Sequence, residues 1–118
     1  MNSFRELTVW QQSMILVEEV YTITKQFPND ETFGLTSQMR RATVSIPSNI
    51  AEGYVRKNTK EYIHFLYIAL GSLGELDTQI EIADRLKYFQ TQKELTSRIT
   101  EIRQMLYGLI QALKRKIQ

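Results

Sequence analysis

Leu95-Thr-Ser-Arg-Ile99-Thr-Glu-Ile102-Arg-Gln-Met-Leu106-Tyr-Gly-Leu109-Ile-Gln-Ala-Leu113 carries apolar residues at steps of 4, 3, 4, 3 and 4. That spacing is the seam of a helix that buries one face, and no strand period of two fits it. Thr91-Gln-Lys-Glu94 precedes it with the pattern of a capping box, which predicts a helix over about 92–116. Working backwards, Asn58-Thr-Lys-Glu61 offers a similar start to a helix over 59–88, and Thr8-Val-Trp-Gln11 one to a helix over 8–26 that stops before Phe27-Pro28. Between them Leu35, Met39, Ala42, Ile46, Ile50 and Gly53 recur at helical spacing and predict a helix over 33–54. Pro47 falls inside that helix, where it removes a hydrogen bond and crowds the Thr43 carbonyl, so a kink absorbed by packing, or by Ser48 and water, is expected.

Connections this short force successive helices antiparallel. The expected fold is all-α, an up-and-down antiparallel four-helix bundle forming a single domain over 1–118. Its 42% hydrophobic and 24% charged residues suit one core, and 118 residues do not make two. The chain has no cysteine, which removes disulfides and thiolate chemistry and fits a cytoplasmic protein. Met1 to Gln11 lacks the apolar stretch of a signal peptide, and Met14–Val17, the longest aliphatic run, is far short of the roughly 20 residues of a membrane span.

Two helices are too apolar for one core-facing stripe. Met14-Ile15-Leu16-Val17 runs around the first, and Tyr62 to Leu70 nearly encircle the start of the third. A homo-oligomer is the expected use of that surplus.

Catalytic motifs are thin. Glu61-Tyr-Ile-His64 has the Glu-x-x-His spacing of a metal bundle, but His64 is the only histidine, so one chain lacks the second such motif. No imidazole pairs with Ser45, Ser48 or Ser72 by any readable spacing, and Gly71-Ser-Leu-Gly74 lacks the lysine of a phosphate loop. No enzyme, metal site or cofactor is expected.

Charge is more informative by position than by total. The net +2 divides into −3 over 1–39, +4 over 40–60, −3 over 61–101 and +4 over 102–118. Antiparallel topology brings Arg56, Lys57 and Lys60 to the end that carries Lys114, Arg115 and Lys116, with Tyr54 and Tyr62 close by. That is a candidate contact for RNA or DNA phosphates, in competition with simple charge balance at helix C-termini. On the second helix Arg41, Ser45, Ser48 and Glu52 make a polar stripe, for which hydrogen bonding within the bundle competes with ligand contact. The structural reading has Ser45, Asn49, Glu52, Ser72 and Glu75 as internal polar partners. Glu52 and Glu75 would then accept from Arg41, Ser72 or backbone donors.

Trp10, Phe27-Pro28, Phe33-Gly-Leu35, Gln38-Met-Arg-Arg41, Ser45-Ile46, Asn49-Ile-Ala-Glu-Gly53 and Gly71-Ser72 with Glu75 together resemble the family of proteins encoded in intervening sequences of bacterial 23S ribosomal RNA genes. The resemblance covers nearly the whole chain and implies a four-helix bundle. That family is similar to the accessory variability proteins of diversity-generating retroelements, which implies a ring-like pentamer, nucleic-acid binding that includes Arg40 and Arg41, and a protein partner such as a reverse transcriptase. The expectation is a non-catalytic homo-oligomer that contacts nucleic-acid phosphates, and its rival a protein-interaction scaffold that binds no nucleic acid.

Overall fold

A computed structural model describes residues 3–118 and places four helices in a body of 47 × 25 × 21 Å. They are α1 (Thr8–Thr24), α2 (Leu35–Val55), α3 (Thr59–Arg85) and α4 (Lys93–Lys116). A 3-10 turn, Phe4–Glu6, leads into α1, and a second, Asn29–Glu31, leads into α2. No strand occurs among the described residues. Met1 and Asn2, the start of the segment read as free of a signal peptide, lie outside the described residues. Each helix packs on its chain neighbour and α4 returns to α1, which closes the up-and-down bundle. No helix of the described residues is long and apolar enough to cross a membrane.

The core is one cluster threaded by all four helices. Leu16 and Val20 of α1, Met39, Ile46 and Ile50 of α2, Leu66, Leu73 and Leu76 of α3, and Ile102, Leu106 and Ile110 of α4 are fully buried. The α4 seam follows the heptad spacing to Leu106 and then departs from it, because Ile110 is fully buried and Leu109 only partly so. A straight helix with 3.6 residues per turn drifts off a 3.5-residue repeat, so a step of 4 returns the side chain to the core.

Helix starts follow local chemistry less closely than the sequence suggests. Asn58 caps α3 as expected, its side chain accepting from the Glu61 amide at 3.0 Å. Thr8 and Thr91 are not caps. α1 begins on Leu7 without a side-chain cap, and Gln11 donates instead to the Arg5 carbonyl at 2.8 Å. α4 begins on Gln92, because the Thr91 amide donates to Asp84 at 2.9 Å and so ties the α3–α4 connection to α3. α3 stops at Arg85, earlier than the expected 88, through a Schellman arrangement. The Tyr88 amide donates to Ala83, the Lys87 amide to Asp84, and Lys87 takes φ 65°.

α2 is capped from a distance. Glu31 accepts from the Leu35 amide at 3.0 Å through one carboxylate oxygen and from the Tyr88 hydroxyl at 2.7 Å through the other. It thereby fastens the start of α2 to the α3–α4 connection. Gly34 makes the approach possible, since a Cβ there would stand 2.6 Å from the Glu31 carboxylate oxygen.

The Leu35 amide first, then the Tyr88 hydroxyl, holds Glu31 below its ordinary 4.5. The Thr91 hydroxyl and amide do the same for Asp84 relative to 3.8. A carboxylate whose folded pKa is depressed stabilises the fold fully above its unfolded pKa and loses that contribution as pH falls through the folded value. Stability is therefore expected to decline as pH drops below about 4.5, and Glu31→Gln/Asp84→Asn to flatten that decline in denaturant melts taken across the acid range.

Pro47 is carried inside α2, which continues through it to Val55. The ring is buried while Ser48 is exposed and makes no hydrogen bond to a described residue, so packing rather than Ser48 accommodates the missing donor.

Candidate nucleic-acid interface

The α2–α3 pair carries most of the residues singled out in the sequence. Gly53 sets their approach: a Cβ at this position would lie 2.9 Å from the Phe65 Cβ and 3.2 Å from the Tyr62 carbonyl oxygen. Two turns away, Ser45 and Ser72 share a hydrogen bond at 2.9 Å across the same pair, and Asn49 donates to the Ser45 carbonyl at 2.8 Å and hydroxyl at 2.9 Å. Ser45, Asn49 and Ser72 thus form one polar link between helices.

Glu52 and Glu75 do not join it. Glu52 is exposed and accepts from Arg56 at 3.1 Å, one turn along its own helix. Glu75 is exposed and makes no hydrogen bond or ion pair with a described residue. The expectation that both carboxylates are satisfied inside the bundle is corrected on this point. A modest rotation about the helix axis separates an inward serine from an outward glutamate, and water solvates the charge more cheaply than a core does.

The eight candidate cations fall into two groups. Arg40 is engaged within the fold: its Nε donates to Thr24 Oγ1 at 2.9 Å and its guanidinium lies 4.4 Å from the Tyr21 ring centroid, pinning α2 to α1. Arg41 beside it is exposed and lines a shallow depression with Phe33, a side chain 96% exposed. Both lie about 16 residues, or roughly 24 Å of helix, from Arg56.

At the other end Arg56 sits between two carboxylates, Glu52 and Glu61 at 3.4 Å, and over the Phe65 ring at 5.1 Å. Lys57, at φ 55°, and Lys60 are exposed at the α2–α3 turn. Lys114 donates to the Tyr67 hydroxyl at 2.7 Å, a contact that marks the register of α4 on α3. Antiparallel counting from that contact puts the end of α4 near Phe65, about six residues or 9 Å short of the α2–α3 turn. The two basic segments therefore share one end of the bundle but form a strip, not a tight cluster. Arg115 and Lys116 complete it, exposed.

Of the two tyrosines expected nearby, Tyr62 is turned inward. Its hydroxyl is buried with no partner among the described residues, and burial first, then Tyr54, pushes its pKa up to about 12. It packs edge-on against Tyr54 at 6.1 Å. Tyr62→Phe removes an unsatisfied buried oxygen while keeping the ring, so urea melts should show equal or higher stability, by up to about 1 kcal/mol.

Sequence reasoning missed three links that only meet in space: Glu31 with Tyr88, Asp77 with Arg103 at 2.8 Å, and Arg98, which donates to both Glu19 and Gln12 across α1 and α4. Charge at helical spacing was the available signal, and it does not say which helix supplies the partner. Glu61 and His64 are both exposed, and no group of three or more metal-binding side chains occurs among the described residues.

Fold and surface together define an up-and-down four-helix bundle with a hydrogen-bonded α2–α3 crossing and a basic strip at one end. The sequence profile of the 23S rRNA-intervening sequence proteins matches residues 5–108, and the chain belongs to that family. It is similar to a solved structure from Bacteroides thetaiotaomicron, a protein of unknown function from the S23 ribosomal protein family. The two are 26% identical with a TM-score of 0.76, over 87% of this chain and 95% of the other. No curated protein matches the sequence.

Proposed function

We propose that this protein is a non-catalytic homo-oligomer that contacts RNA or DNA phosphates through its basic end. The observation that carries the reading is the strip itself: Lys57, Lys60, Lys114, Arg115 and Lys116 lie at one end and none forms an ion pair with a described residue. Cations that merely balance local carboxylates would look like Arg56, which is enclosed by two of them. Self-association is supported by apolar side chains exposed on the two helices whose sequence has an apolar surplus, Met14 on α1, Tyr67, Ile68 and Ile82 on α3. Repeating the strip once per subunit multiplies phosphate contacts without any reading of base sequence.

The test is fluorescence anisotropy of a labelled structured RNA at two salt concentrations, with mass by light scattering on the same samples. Lys57→Gln/Lys60→Gln/Lys114→Gln/Lys116→Gln should keep the mass of the parent and bind at least about tenfold more weakly near 0.1 M salt. Its log–log salt slope should flatten by about 0.7–0.9 for each phosphate that is no longer neutralised. Unchanged affinity and slope in that variant would overturn the phosphate-contact reading and favour the scaffold.

A further inference from the structure

At the end opposite the basic strip, where α4 begins and α1 finishes, a surface groove of about 600 Å³ opens between the two helices. Its apolar lining comes from Ile15 and Ile23 of α1, Phe89 of the α3–α4 connection and Leu95 of α4. Ile15 is 38% exposed, an aliphatic side chain that the described residues cover only in part. On the α1 side stands Glu18 and on the α4 side Glu94, both exposed and neither in an ion pair with a described residue. Glu19, between them, is taken by Arg98.

Those features select an occupant. An exposed ion pair contributes too little to hold a simple cation, while an apolar floor by itself does not discriminate. A chain with an apolar stripe flanked by lysine or arginine uses both, burying the stripe and placing cations against the two free carboxylates. The α1 wall runs from Ile15 to Gln26, about 16 Å or three helical turns, the length over which a helix presents i, i+3, i+4 and i+7 anchors. The basic end of a second copy fits less well, because Leu113 beside Lys114–Lys116 is buried in its own core and leaves Ile117 as the exposed aliphatic side chain there.

We propose that this groove docks a basic amphipathic helix of a partner polypeptide. The proposal is independent of the nucleic-acid reading, because the groove and the basic strip lie at opposite ends of α4.

The probe is a fluorescent synthetic helix of about four turns with leucine on one face and lysine elsewhere, alongside versions with glutamine or glutamate replacing lysine. Titrated into the full chain near 0.1 M salt, the lysine peptide should bind at least about tenfold more tightly than the glutamine peptide. In Glu18→Lys/Glu94→Lys that preference should reverse, with the glutamate peptide now bound, a gain that a misfolded variant does not produce. Failure of the lysine peptide to bind the wild type, equal binding of the lysine and glutamine peptides, or unchanged binding in the variant would each overturn the proposal. So would a fall in mass of the variant by light scattering, which would assign the groove to a second copy.

Discussion

Leu106→Ala will lower unfolding stability by about 2–5 kcal/mol in urea melts. Leu106 is fully buried at the centre of α4 and belongs to the one core cluster to which all four helices contribute. Removing three carbons costs their transfer free energy and leaves a cavity that rigid helices on all sides close poorly. A domain of this size has about 5–15 kcal/mol in total, so the loss is a large share of the whole. Leu109→Ala supplies the control. Leu109 is only partly buried, and its truncation should cost clearly less. Equal losses at 106 and 109 would mean that α4 keeps its heptad seam and that Ile110 does not replace Leu109 in the core.

Gly53→Ala should destabilise the protein by about 1–3 kcal/mol, although alanine is the better helix former by about 1 kcal/mol. In an isolated helix the substitution would be favourable. Here the added methyl meets the Phe65 Cβ at 2.9 Å and the Tyr62 carbonyl at 3.2 Å, atoms fixed to the α3 backbone that cannot rotate away. α2 and α3 must separate, and the nearby Ser45–Ser72 hydrogen bond, at 2.9 Å, depends on the same spacing. Gly71→Ala is the informative comparison, because a Cβ there meets nothing within 4 Å and the helix-propensity gain should appear alone. A stabilised Gly53→Ala would show that the two helices are not held at the spacing seen here.

Helix number, order and the greater part of each boundary were legible in the chain because they rest on local quantities, apolar spacing along one helix and the proline, glycine and asparagine that end or start it. Antiparallel topology followed from short connections. The basic strip was legible for the same reason, since topology alone assigns Lys57, Lys60 and Lys114–Lys116 to one end. What local spacing does not carry is rotation and partner choice. Ser45, Ser48 and Glu52 lie on one stripe of α2, yet Ser45 bonds to Ser72 of α3 while Ser48 and Glu52 face water, a distinction set by how α2 rolls against α3 over Gly53. Arg40 and Arg41 are adjacent in sequence, but helical geometry turns one toward Thr24 and Tyr21 and the other outward. Likewise nothing near Glu31 in the chain foretells Tyr88, 57 residues away. Such pairings are long-range: they arise when four amphipathic helices settle into a common register to fill one core, and no residue's own neighbours hold that information.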